Sequence, residues 1–374
     1  MTLQIPASLL PTDGRFGSGP SKVRPSQVDA LVTAGEAGRP VLGTSHRQAP
    51  VKDVVRRVRE GLASLFDLPD GYEVVLGNGG STAFWEVATA SLVRDRAQHA
   101  VFGEFGGKFA AATARAPFLT DPEIVEAPAG GVAYLAPSDA VDVYATPHNE
   151  TSTGAMAPVR RPAGDALVLT DATSGAGALP VDLRETDVYY FGPQKVFGAD
   201  GGLWLALCSP AALERAAEVE RSGGGRWVPE FLSLTTALEN SRKDQTLNTP
   251  AVATLVMLAD QVEWINAQGG LAWSAQRCAT SAQVLYGWAE AREWATPFVA
   301  EPAERSTVVG TIDLDARIDA SAVVGHLRAH GIVDVFPYRK LGRNQLRVGM
   351  FPAVEPDDVA ALTACVDHVV EQIA

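Results

Sequence analysis

A mainly parallel β-sheet covered by helices, followed by a smaller C-terminal α/β unit, is the fold class this sequence predicts. Three observations predict it. The chain has 374 residues, more than a single core usually serves. From about residue 16 to residue 265, short apolar runs of strand character alternate with helical stretches. A Gly269-Gly270 break then precedes a second, shorter series of the same kind.

Taken in order, residues 1–15 read as a loose arm. The clearest helix runs from Val51 to Phe66, where Val51, Val54, Val55, Val58, Leu62 and Leu65 share one face. Arg56, Arg57 and Glu60 fall elsewhere and read as a solvated face. Strands are expected at Glu73–Leu76, Val141–Ala145, Ala166–Thr170, Val188–Phe191 and Leu203–Leu207. At Thr249-Pro250 a capping Thr and a first-turn Pro announce a helix that ends near Asn266. Beyond the glycines come Val308–Ile312, a helix at Ala320–Ala329, a strand at Gln345–Met350 and a last helix from Asp357 to Ile373. The expected division is an arm at 1–15, a large unit at 16–268 and a small unit at 269–374.

Composition narrows the function. Lys and Arg number 31 against 44 Asp and Glu, a net charge of −13, which excludes a general nucleic-acid or anionic-membrane surface. An anionic substrate would need cations gathered locally. The three cysteines, Cys208, Cys278 and Cys365, are far apart and suggest neither a disulfide framework nor a zinc site. No metal is implied. The first residues lack the basic start and apolar core of a signal peptide, and no apolar run approaches membrane-span length. A cytoplasmic protein is expected.

Three stretches could carry chemistry. Gly77-Asn-Gly-Gly-Ser-Thr82 lies between a strand and an apolar helix, where glycines admit a ligand and a helix start offers N–H groups to an anion. Taken alone, a Gly-rich turn with a Ser/Thr cap explains it equally simply. Asp171 closes a strand, at the edge where open α/β sheets bind ligands. As a lone residue it could equally be a turn carboxylate. Lys195 follows the next strand, in Gly192-Pro-Gln-Lys195, among aromatic and small residues where a charged amine is costly to bury. A lysine reaching solvent is the ordinary alternative. Together, an acid, an amine and an anion cradle are the parts of a pyridoxal phosphate site: the acid keeps the ring nitrogen protonated and the amine forms the Schiff base.

Asp171-Ala-Thr-Ser, Gly192-Pro-Gln-Lys195 and Leu247-Asn-Thr-Pro250 together resemble the phosphoserine aminotransferases, of their actinobacterial branch, within the fold-type I, class V pyridoxal phosphate enzymes. Phe16-Gly-Ser-Gly-Pro20, Thr44-Ser-His-Arg47, His148-Asn-Glu-Thr151 and the run from Tyr338 to Arg347 agree, in order and essentially end to end. The resemblance implies a seven-stranded large domain and a homodimer with shared active sites. It implies that Lys195 anchors the cofactor and shuttles the proton, that Asp171 pairs with the ring nitrogen and that Thr151 meets the ring hydroxyl. Gly80, Ser81 and Gln194 would hold the cofactor phosphate, joined across the subunit boundary by Asn248 and Thr249. Phe105 would stack on the ring where many relatives carry Trp.

The same resemblance assigns Arg347 to the substrate α-carboxylate, and His46, Arg47 and Arg339 to the substrate phosphate. Lys340 and Arg343 complete a cationic run without an assigned role. The implied reaction moves the amino group of glutamate to 3-phosphohydroxypyruvate in serine biosynthesis. It extends to 4-phosphohydroxythreonine in pyridoxine biosynthesis. Three alternatives differ in chemistry. A neighbouring class V aminotransferase, such as an alanine–glyoxylate type, would not need so many cations. A cysteine desulfurase needs a thiol on a mobile loop, and none of the three cysteines is so placed. A noncatalytic binding protein is opposed by the presence of both Lys195 and Asp171. Trp85 and Glu86 read as helix packing or solvation.

Overall fold

The computed structural model describes residues 3–38, 40–221 and 226–373. Its main sheet has seven strands. In spatial order they are Glu73–Asn78, Leu203–Cys208, Val188–Phe191, Leu167–Asp171, Val143–Pro147, Ala97–Val101 and Glu123–Glu126. Only Leu203–Cys208 runs against the rest, pairing antiparallel with both of its neighbours. The central strands are buried along their whole length, which is why they read as continuous apolar runs and not as alternating ones.

The helix predicted at 51–66 is observed at Ala49–Leu65 and buries all six apolar residues of its stripe. Each such Val or Leu side chain contributes about 1.5–3 kcal/mol by leaving water. Its arginines form a solvated face: Arg57 pairs with Glu263, and Arg56 with Asp53 and Glu60. The next predicted helix needs a correction. It runs Val252–Gln268 and no side chain caps it. Thr249 lies three residues before that helix, out of reach of its first N–H groups, and its hydroxyl meets His46 Nδ1 at 3.2 Å. Gly269, with φ of +123°, ends the helix, and Gly270–Glu290 begins at once in a new direction.

A second sheet joins Ala295–Pro297, Val309–Leu314 and Gln345–Gly349, all antiparallel, with the helices Ala320–Ala329 and Pro356–Ile373 packed on it. The Asp319 carboxylate caps the first of these helices through Ser321 N–H. The N-terminal segment, expected as a loose arm, lies along this unit. Ile5 is buried in its core with Leu3, Leu9 and Leu10 against it, and Thr12 N–H donates to Asp358. These apolar residues gain more by burial than the arm would gain in freedom. From there the chain passes through Phe16, whose carbonyl accepts from Gly349 N–H, to Gly19-Pro20 at the rim of the main sheet.

Candidate active site

Six of the seven strands point the same way, so their carboxyl ends share one edge of the sheet. Gly79–Ser81 follow one strand, Phe105 a second, Asn149–Thr151 a third, Asp171 ends a fourth and Lys195 follows a fifth. Together they enclose a cavity of about 410 Å³ at the edge where α/β sheets characteristically take ligands.

Lys195 points into this cavity and is only 7% exposed. Its Nζ donates to Thr151 Oγ1 at 2.6 Å and stands 4.9 Å from the Phe105 ring centre. Burial pulls its pKa from the ordinary 10.5 to about 8, against the opposing pull of Asp171 and Glu150. The stem needs Gly19: a Cβ there would sit 2.8 Å from Lys195 Cε.

Asp171 lines the same cavity. Its Oδ1 accepts from the Thr173 N–H at 2.9 Å and the Thr173 hydroxyl at 2.5 Å. Its Oδ2 accepts from the Trp85 indole N–H at 3.2 Å. Ser81 Oγ lies 2.7 Å from Thr173 Oγ1, linking the acid to the Gly-rich loop. Trp85 and Thr173 were not expected here. A signal for Trp85 existed, since it falls four residues after Ser81 and so on the same helix face.

The loop itself is built as an anion cradle. Gly79 and Gly80 take φ of +114° and +78°, conformations that disfavour side chains, and the helix Ser81–Ser91 that follows has no side-chain cap. Its first N–H groups therefore face the cavity wall formed by Ser81, Thr82 and Gln194. An amine, a braced acid, a flat apolar face and an anion cradle around one cavity of this size fit pyridoxal phosphate.

The remaining candidates lie elsewhere in the single chain. His46 meets Thr249, Arg47 Nη1 donates to Gln245 at 3.1 Å, and Asn248 accepts from Asn78. None of these four lines the cavity of its own chain. Arg347 comes close: Nη1 donates to the Thr151 carbonyl at 3.3 Å, its guanidinium lies over Tyr338, and its Nε has no hydrogen-bond partner among the described residues. Arg339 sits outside the cavity in the short turn Arg339–Leu341. Lys340 is paired with Glu104 and Arg343 with Asp313.

The class-V aminotransferase family matches residues 16–333. The chain is 60% identical over 371 residues to the phosphoserine aminotransferase of Rhodococcus opacus, covering 99% of this chain and 98% of that one. The corresponding protein of Rhodococcus jostii matches to the same extent. Among solved structures, the phosphoserine aminotransferase of Cytophaga hutchinsonii superposes with a TM-score of 0.86 at 21% identity, over 97% of this chain and all of that one. On this full-length likeness the chain belongs to the class-V aminotransferases, pyridoxal phosphate-dependent transaminases of fold type I, and groups within them with the phosphoserine aminotransferases.

Proposed function

We propose that this protein is a phosphoserine:2-oxoglutarate aminotransferase, working by a ping-pong cycle as a cytoplasmic homodimer. Glutamate gives its amino group and 3-phosphohydroxypyruvate receives it, a step of serine biosynthesis. The longer 4-phosphohydroxythreonine of pyridoxine biosynthesis is a second substrate of the same site. The carrying observation is that Lys195 and Asp171 line one cavity, with Arg347 hydrogen-bonded to the carbonyl of the residue that holds the lysine amine.

Pyridoxal phosphate, when bound, supplies the carbonyl carbon that takes the amino group and the ring that accepts the electron pair left by the α-proton. The chain does the rest. Lys195 Nζ, whose pKa burial brings down to about 8 in the cofactor-free chain, would carry the proton between the substrate α-carbon and the cofactor. Asp171, braced by Thr173 and Trp85, holds the ring nitrogen in its protonated form. Thr151 would hold the ring hydroxyl, Phe105 would cover a ring face, and Gly80, Ser81 and Gln194 would grip the phosphate. Arg347 receives the α-carboxylate as a bidentate partner.

Asn248 and Thr249 reach the cofactor phosphate from the second subunit, and His46, Arg47 and Arg339 meet the substrate phosphate, some of them from that subunit. A guanidinium accepts both glutamate's distal carboxylate and the acceptor's phosphate, so one cluster serves both half-reactions. The deciding assay is glutamate-dependent amination of 3-phosphohydroxypyruvate in competition with pyruvate and glyoxylate. A kcat/KM preference of about 100-fold or more for the phosphorylated acceptor is expected, because loss of a charge-assisted contact costs about 1.5–3 kcal/mol per bond. Equal use of glyoxylate would move the protein to the alanine–glyoxylate type.

A further inference from the structure

Glu150 is fully buried, carries no part of the chemistry above, and accepts hydrogen bonds on both of its carboxylate oxygens. Oε2 takes the N–H groups of Phe105 and Gly106 at 3.0 and 3.1 Å. Oε1 takes the Ser152 hydroxyl at 2.7 Å and the Ser152 N–H at 3.2 Å. Ser152 Oγ in turn accepts the Glu104 N–H at 3.0 Å. The first three N–H groups of the helix Glu104–Ala114 are thus satisfied by side chains about 45 residues away in sequence, and none by a local cap. Gly103, at the cap position, makes room for this: a Cβ there would lie 2.2 Å from Glu150 Cγ and 2.6 Å from Ser152 Oγ.

A Ser, Thr or Asp at position 103 would close such a helix without burying a carboxylate, which is costly unless fully hydrogen-bonded. What the remote cap achieves is mechanical. Glu150 and Ser152 flank Thr151, whose hydroxyl holds the Lys195 amine, and the helix they cap carries Phe105, whose ring stands 4.9 Å from that amine. One carboxylate therefore locks the aromatic face and the lysine's partner into a single body.

We propose that Glu150 is a positioning residue: through the N-terminus of the Glu104–Ala114 helix it sets the stand-off of the Phe105 ring from Lys195 and Thr151, and so the angle at which the cofactor ring is held. Burial pushes the Glu150 carboxyl up, while its hydrogen bonds from Ser152 and Gly106 and the positive end of the helix favour the charged form. This rests on the cofactor assignment and not on which keto acid is the acceptor.

The test uses the whole protein and pyridoxal phosphate alone, without amino donor or acceptor, so a failed phosphate preference would leave it untouched. Glu150→Gln keeps the shape but turns an amide NH₂ toward groups that are themselves donors. Its dissociation constant for pyridoxal phosphate should rise about tenfold. The circular dichroism of the lysine-linked absorption band, per cofactor bound, should fall by about half. Phe105→Leu should lower the same ellipticity, and the double variant should be no worse than the poorer single one. Ser152→Ala, a milder change, should shift both readouts in the same direction by about threefold or less, and decides the matter where Glu150→Gln does not fold. Variants that lose thermal stability but keep wild-type affinity and ellipticity would overturn the proposal, as would additive effects of the two substitutions.

Discussion

The indole N–H of Trp85 meets Asp171 Oδ2 at 3.2 Å, so the acid that lines the cavity is braced on both of its oxygens. Trp85→Phe keeps most of the ring and removes this donor. In cofactor-free protein it should cost about 1–3 kcal/mol, the usual penalty for an abandoned buried acceptor, measured by urea unfolding. A loss below about 0.5 kcal/mol would show that the pair carries no energy.

Lys195→Ala should abolish the lysine-linked absorption band of the purified protein and lower amination of 3-phosphohydroxypyruvate by a factor of about 10² to 10⁴ or more. A retained lysine-linked band would mean that another amine holds the cofactor.

The buried amine also couples to folding. It titrates at about 8 in the native chain against 10.5 for an ordinary lysine, so between those values the folded state binds fewer protons than the unfolded one. Stability from this group therefore grows as pH rises from about 8 to 10.5, and below about 8 the full penalty of about 3 kcal/mol is present. Cofactor-free Lys195→Met should accordingly exceed the wild type in unfolding free energy near pH 7, by an amount that shrinks near pH 10. A difference independent of pH would contradict the lowered pKa.

Arg347→Lys preserves charge but loses the planar fork. KM for both glutamate and the phosphorylated acceptor should rise about 10- to 100-fold, with a smaller change in kcat. An effect on one substrate alone would place Arg347 away from the α-carboxylate that both share.

Shared sites make a prediction that no single chain can satisfy. Lys195→Ala and Arg47→Ala homodimers should each be strongly impaired, yet a mixture refolded or co-expressed in equal amounts should regain about a quarter of wild-type activity. Half of the dimers are then hybrids, each with one intact site. No recovery would place Arg47 and Lys195 in the same chain's site.

Much of this protein is written in local pattern. The apolar stripe of Val51 to Leu65 and the continuous runs at Leu167–Asp171 and Val188–Phe191 follow from periodicity alone, because helix and strand burial impose different spacings. The sequence also put Asp171 at the end of one strand and Lys195 just past the next, two strand ends that can face one crevice. What it could not show was partnership across distance. Thr249 looked like a helix cap but reaches His46, and Trp85 looked like packing but braces Asp171. The N-terminal arm looked free but fills a core formed more than 250 residues later, and Glu150 caps a helix that starts before it in sequence. These contacts depend on which strand lies beside which and on the direction each loop leaves the sheet. Such choices are made by the whole packed chain, so only the tertiary structure decided them.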